Sequence, residues 1–407
     1  MSDRGNETDA AARADVGELV RSNNAFGLDL FHSVRTTAGN LFFSPFSIWS
    51  ALTMVHSGAR ANTQSEIATT LHLALPHQRA DAAYPALARA LGVGIETHRR
   101  GREWRFGNKV VRSSEGGVEE FKLANRLWGS EGAEFLPAFL EAMTDCYQAS
   151  LGRLDFVRDP ESARAVVNEW VAEKTHRKIA EVLTPGALEG ETRLLLTSAS
   201  YFLRSWEQPF EPEETDDAPF FAEHGVVNVP TMHGTERFRF AETDQVQVLE
   251  LDYFQASVAA WIILPRTRDG LPQVERTIDA SSLETWSASL RPRDVAVGLP
   301  RFRMTSKLEL REALRGLGIR SAFKRGADFS GASVTERALF LNGVVHGALV
   351  DVDERGTEAA AATVGVMLRG GPPNPIPFVA DHPFLFVIRD SRTGCVLFLG
   401  RVAEPKA

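Results

Sequence analysis

Few residues of this chain are arranged for chemistry of their own. No serine sits in a G-x-S-x-G turn, no H-E-x-x-H pair occurs, and neither a P-loop nor a G-x-G-x-x-G loop is present. Serine, histidine and aspartate can be combined in any chain of this size, so they have little weight. Cys146 and Cys395 lie far apart without C-x-x-C or Cys/His spacing, which predicts two free buried thiols and no metal site. One local basic cluster stands out, HRRGREWR at 98–105. It reads as a solvated loop edge, with an anionic cofactor site as the alternative. Elsewhere basic residues are scattered over a net charge of −8, which argues against a nucleic-acid footprint. No catalytic residue and no cofactor are expected.

The segment 353–378, DERGTEAAAATVGVMLRGGPPNPIPF, carries the strongest local signal. Four alanines behind a glutamate look like a helix start, yet the glycine pair 370–371 and four prolines follow. As a strand it makes better sense. Period two places Thr357, Ala359, Ala361, Thr363, Gly365 and Met367 on one face, all small except Met367. Glu358, Ala360, Ala362, Val364, Val366 and Leu368 take the other. A small, uncharged inner face suits a strand that must slide between two strands already packed on a core. Large groups there would overpack at about 1–3 kcal/mol each, and a buried charge would cost several kcal/mol. Gly356 supplies hinge freedom. The prolines at 372, 373, 375 and 377 cannot donate to a ladder, so an exposed connector is expected beyond residue 371.

Around this segment the chain reads as helices first and strands later. Composition is ordinary for a soluble globular protein, 43% hydrophobic and 24% charged. No run of eighteen apolar residues could span a membrane. Residues 1–16 are polar and acidic, without the apolar stretch of a signal peptide, and read as a disordered leader. That start favours the cytoplasm slightly over export. Residues 17–37 form an amphipathic helix with Leu19, Phe26, Leu30 and Val34 on one face. Ser44-Pro45 opens a buried helix, and Asn62 reads as the cap of the next one. Two strands, 121–129 and 193–203, flank a helix at 161–176, and the second is apolar on both faces. After 226 strands dominate (VVNVPTM, RFRFAET, VQVLELDY, SVAAWIILP, DVAVGLPRFRM, ALFLNGVVHGALVDVDE). A closing hairpin through TGC at 393–395 joins HPFLFVIRD to GCVLFLGRVA. This order predicts an α+β fold with large antiparallel sheets, one domain over 17–405.

Eight ordered segments over most of the chain resemble the serpin family of serine protease inhibitors. They are NLFFSPFSIWSALTM with GARANTQSEI, ANRLWG, VNEWVAEKTHRKI, TSASYFLRSWEQPF, VQVLELDY, LPRFRM with LELREALRGLGI, VVHGALVDVDERGTEAAAA, and DHPFLFVIRDSRTGCVLFLGRVAEP. The resemblance implies a serpin fold of large mixed sheets, about nine helices and an exposed reactive-centre loop at about 354–378. It implies a monomer whose partner is a target serine protease, with no nucleic acid and no membrane. The loop would be bait: the protease cleaves it and is held as an acyl-enzyme while the freed strand inserts into the central sheet. Glu354, Gly356, Thr357, Glu358 and Ala359, Ala360, Ala361 and Ala362 would be the hinge. A binding or chaperone-like serpin without the trap is the alternative, although its hinge would be expected to carry bulky, charged or proline residues.

Family spacing counted from Gly356 puts the bait at Gly370–Gly371, whereas counting back from FVADHPF puts it at Arg369–Gly370. Arginine can pair with an acid in a trypsin-type pocket, so Arg369 is favoured. Cleavage after Leu368 or Met367 by a subtilisin-, elastase- or chymotrypsin-like enzyme is the alternative. Resemblance also implies a polar latch under the sheet at Ser47, Ser50 and His346, and a strand-top tryptophan at Trp206. Ser198 stands where the family usually has asparagine, so one hydrogen bond of the latch is expected to be lost or water-filled. Arginine far outnumbers lysine, a weak hint of a bacterial source.

Overall fold

Hydrophobic side chains from Leu19 to Val402 join in one continuous core between helices and two large sheets. The structure is a computed structural model. It describes residues 2–94, 96–98, 103–106, 109–112, 118–188, 190–254, 256–334, 339–357 and 374–406, with side chains left out before residue 11 and over 95–119. The bait positions Met367, Leu368, Arg369, Gly370 and Gly371 and the hinge positions Glu358–Ala362 lie outside these residues, as does much of the basic stretch 98–105.

Nine α-helices occur among the described residues. The Pro45–Gly58 helix starts as its sequence dictates. Ser44 caps it by accepting from the Ser47 N–H, Pro45 takes the first turn, and every residue of the helix is buried. Asn62 is not a cap. The next helix, Ala61–Thr70, has Arg60 at its N-cap, while the Asn62 amide donates to Glu66 (2.8 Å) and Ser321 (2.7 Å). The first helix runs Ser2–Val34 and so covers the stretch read as a leader. Its alanines, at 10, 11, 12 and 14, have the highest helix propensity of any residue.

One sheet has nine strands in the order Leu41–Phe43, Val396–Val402, Phe384–Asp390, Val258–Pro265, Val246–Asp252, Gly225–Glu242, Arg291–Pro300 and Ile376–Val379, with Thr215–Ala222 paired to Gly225–Glu242. The two strands expected at 226–232 and 237–243 are one strand. Conversely, DVAVGLPRFRM divides at Arg301 between Arg291–Pro300 and the Phe302–Glu309 strand of the other sheet. From Ile376 the chain is no longer a free connector. Ile376–Val379 pairs in parallel with 295–298 at the sheet edge, where Pro377 needs no donor.

The seven-stranded central sheet holds the remaining long strands, in the order Phe302–Glu309, Leu341–Asp353, Gly356–Thr357, Leu194–Ser205, Val118–Ser130 and Glu96–His98, with Leu151–Leu154 paired to Val118–Ser130. Both faces are covered. The helices near the chain start pack below it, and the Pro160–Lys174 helix lies above it through Ala163, Val167 and Val171. This explains the two-sided apolar run at 194–203.

Candidate functional site

At the middle of the central sheet, Leu194–Ser205 and Leu341–Asp353 run side by side in parallel. They pair from Leu341↔Leu194 to Leu349↔Tyr201. Above that point they part, and Gly356–Thr357 lies between them. Thr357 pairs with Val352 and Arg204, Gly356 with Asp353 and Ser205, and this short strand is antiparallel to both neighbours. The sheet is thus a closed seam with a two-residue wedge at one end.

The wedge depends on glycine. Gly356 has φ +155°, and a Cβ there would sit 2.1 Å from the Arg204 carbonyl oxygen, so no other residue fits without moving backbone. Thr357 is fully buried, and its hydroxyl meets Tyr253 Oη at 2.6 Å. Trp206 stacks on Tyr253 with ring centroids 4.5 Å apart. Its indole N–H donates to the Asp353 carbonyl (3.0 Å), and its backbone N–H donates to that of Arg355 (2.8 Å). Trp206 therefore packs against the turn that leads into the wedge. The turn before the wedge is held by Glu354, buried and paired with the Arg301 guanidinium, and accepting from Thr215 Oγ1 (2.5 Å). Burial alone would push that carboxyl up, but the Thr215 and Arg301 hydrogen bonds outweigh it and hold it below the usual carboxylate range. Tyr253, Arg301 and Thr215 escaped sequence reading. Two of them lie in the quoted segments VQVLELDY and LPRFRM, but nothing in those segments says what they meet.

Six pairs below the wedge, the seam is latched by a hydrogen-bonded chain. The Ser44 backbone N–H donates to His346 Nε2 (3.0 Å), which leaves the proton of the neutral ring on Nδ1. Nδ1 then donates to Ser198 Oγ (3.0 Å), Ser198 to Ser47 Oγ (2.8 Å), and Ser47 to Asn125 Oδ1 (3.1 Å). The Asn125 amide returns to the Ser47 carbonyl (3.0 Å). Each hydroxyl both gives and receives, so the chain has one consistent direction.

Three expectations are therefore revised. Ser50 is not in the latch: its hydroxyl bonds Tyr84 at 2.6 Å. Ser198 loses no bond, because Asn125, its register partner on the neighbouring strand, supplies the amide that a longer side chain would have brought. Ser44, seen only as a helix start, serves the latch through its N–H. Spacing along one strand cannot show which residue of the next strand lies alongside, which is why Asn125 was missed.

Burial pushes the His346 pKa down to about 3. The unfolded ring titrates near 6.5, so between those values the unfolded chain takes up a proton that the folded chain refuses. Stability is full above pH 6.5 and falls as pH drops toward 3, by on the order of 2–3 kcal/mol at pH 4.5. His56, lowered to about 4 by burial and by His77 and Arg60, adds to the same window. Urea midpoints measured from pH 7 to 4 should show this decline, and His346→Gln should remove its own share. An unchanged pH slope in that variant would contradict the neutral latch.

Comparison with known proteins agrees with this geometry. The family model described as Serpin (serine protease inhibitor) matches residues 21–405. The leukocyte elastase inhibitor of Bos taurus is 37% identical over 399 residues, covering 95% of this chain and all of that protein. An uncharacterized serpin-like protein of Thermococcus kodakarensis is 35% identical over 391 residues, covering 95% of this chain and 86% of its own. Among solved structures, uncleaved ovalbumin superposes with a TM-score of 0.81 at 27% identity, over 95% of this chain and all of ovalbumin. Native protease nexin-1 with heparin gives 0.81 at 26%, over 96% and 100%. A closed parallel seam, a glycine-hinged wedge at its mouth and a full-length family match all agree: the chain belongs to the serpin family.

Proposed function

We propose that this serpin is a suicide-substrate inhibitor of serine proteases whose cleaved loop fills the seam between Leu194–Ser205 and Leu341–Asp353. The observation that carries the reading is the wedge itself. Gly356 and Thr357 already hold the orientation and register of a new strand.

Continuing that register gives the inserted state residue by residue. From Arg204 to the strand start at Leu194 is ten steps, and from Val352 to Leu341 is eleven. The seam would therefore be filled by residues 357 to 367 or 368. Thr363 falls between Ser198 and His346, a hydroxyl replacing the direct latch bond. Ala360 and Ala362 fall beside Leu349 and Ala199, under Val171 and Ile179 of the covering layer. Val364 and Val366 fall beside Val345 and Leu195. Position 369 then comes out just past the far end of the sheet. At ~3.3 Å per residue the strand is about 40 Å long, enough to carry a bound enzyme from one end to the other.

The chemistry belongs to the protease. Its serine oxygen attacks the carbonyl carbon of the bait residue, the peptide bond to the next nitrogen breaks, and an ester joins the two proteins. With Ile376–Val379 tied into the other sheet, the intact loop is held at both ends, and cleavage releases one of them. Insertion then competes with hydrolysis of the ester. If it wins, the enzyme is dragged against the far end, and distortion of its oxyanion hole and triad removes factors of ~10²–10³ or more from deacylation.

Arg369–Gly370 is the proposed bait bond, which selects trypsin-like targets through arginine. The names of the relatives, inhibitors of leukocyte elastase, favour a second reading, cleavage after Met367 or Leu368 by an elastase- or chymotrypsin-like enzyme. One experiment separates them. The protein is mixed with trypsin and, in parallel, with elastase, and the released C-terminal peptide is weighed. A fragment beginning at Gly370 with an SDS-stable complex supports Arg369. One beginning at Leu368 or Arg369 supports the second reading. Complete cleavage by both without a complex contradicts inhibition and favours the binding-module alternative.

A further inference from the structure

The seam has a second tie, at the end away from the wedge. Leu341 pairs with Leu194 and Gly343 with Leu195, so Asn342 is an extra residue on its strand, bulged out of the ladder. Its side chain crosses to the other strand, where Oδ1 accepts from the Arg193 backbone N–H (2.6 Å). Its carbonyl accepts from Arg311 Nη1 (3.1 Å), which fixes the bulge from the start of the Arg311–Leu317 helix. Arg193 is anchored in turn, since its carbonyl accepts from the Ser130 N–H (2.9 Å). One short side chain thus joins two firmly placed strands.

The covered face of this end has room. A cavity of about 330 Å³ lies between the segment 183–188 and the seam residues Leu195, Gly343 and Val345, with Asn342 and Arg311 in its wall. Nearer the wedge, the same layer is filled by Val171 of the covering helix, packed on Ala199 and Leu349. Neighbouring strands lie about 4.8 Å apart, and a strand placed between two of them doubles that distance. The Asn342 side chain cannot span the doubled gap. A strand that reaches this end must therefore break its bond to Arg193.

We infer that Asn342 is a far-end lock, a positioning residue whose amide holds the seam shut until the end of an inserting strand displaces it. The inference rests on the loop-insertion reading. Continuing the register of the wedge brings positions 367 and 368 between Arg193 and Leu194 on one side and Leu341 and Asn342 on the other. This is the last part of the seam to fill. The two ties then open in sequence, Ser198 with His346 when position 363 arrives, and Asn342 with Arg193 at the end of the stroke. A tie broken last opposes completion while the ester is still open to hydrolysis. It therefore sets part of the division between trapped and released enzyme.

Hydrogen–deuterium exchange of the full chain, before and after a single cut at 367–370, tests the lock at a peptide containing Arg193. In the uncut molecule Asn342→Ala should speed exchange of the Arg193 amide about tenfold. Asn342→Asp keeps an acceptor oxygen and should exchange as the parent does. After the cut, the parent and Asn342→Ala should exchange alike, because the bond is already broken. Asn342 is half-buried, and Asn342→Ser, too short to reach across, serves as a second truncation if the alanine variant fails to fold. Equal exchange before the cut would mean that Asn342 ties nothing. A difference that persists after the cut would mean that the tie survives insertion, and either result overturns the lock. The SDS-stable complex should also form about threefold faster with Asn342→Ala at saturating inhibitor, and an unchanged rate overturns the role in trapping. If the melting midpoint of the parent does not rise on cutting, the insertion reading falls and the lock with it. A rise accompanied by a persistent difference at Arg193 sinks the lock alone.

Discussion

Thr363→Arg should convert the protein from a trap into an ordinary substrate. Register places position 363 between Ser198 and His346, which are 99% and fully buried. The neutral His346 ring offers no counter-charge there, and the inner face has no room for a long side chain. An unpaired guanidinium carried into that space costs several kcal/mol. Since about 1.4 kcal/mol is tenfold in rate, insertion should slow by two orders of magnitude or more while cleavage is untouched. The number of inhibitor molecules consumed per protease trapped should then rise from near one to on the order of 100. Titration of protease activity against inhibitor reads this directly. Thr363→Ser keeps the hydroxyl and should behave as the parent. Efficient trapping by the arginine variant would mean that 363 does not enter the seam.

Cleaving the loop should also make the molecule much harder to melt. The uncleaved sheet has two parallel strands joined by one ladder, and insertion gives antiparallel ladders on both sides of a new central strand. The gain is on the order of ten hydrogen bonds at ~0.5–1.5 kcal/mol each, together with burial of Val364, Val366, Met367 and Leu368 at about 1.5–3 kcal/mol each. At roughly 1 °C per kcal/mol for a chain of this size, calorimetry should show a midpoint at least about 10 °C higher after a single cut at 367–370. Gly356→Val should blunt the rise, because its side chain would meet the Arg204 carbonyl at the mouth of the seam. No rise in the parent would mean that the strand stays outside.

The parts of this machine that could be read from sequence are those with local causes. The alternation read from Thr357 onward begins where Gly356–Thr357 lies as a short strand, and its remaining residues lie outside those described. Ser44-Pro45 opened its helix as written, and the apolar run at 194–203 lies in a doubly covered strand. What could not be read was register between strands. Asn125 joins the latch, and Ser50 leaves it for Tyr84, because of which residues lie side by side, and no spacing along one strand contains that information. Arg301 and Glu354 meet across 53 residues for the same reason. Proline misled in another way. Pro377 cannot donate to a ladder, but an edge strand makes only one ladder, and its open side asks for no donor.

A crystal structure of the protein after one cut at 367–370 tests the central claim most directly. The account predicts residues 357–367 as a strand between Leu194–Ser205 and Leu341–Asp353, with Thr363 lying between Ser198 and His346. A cleaved molecule in which Ser198 still pairs with His346 across a closed seam, the loop lying free, would contradict it.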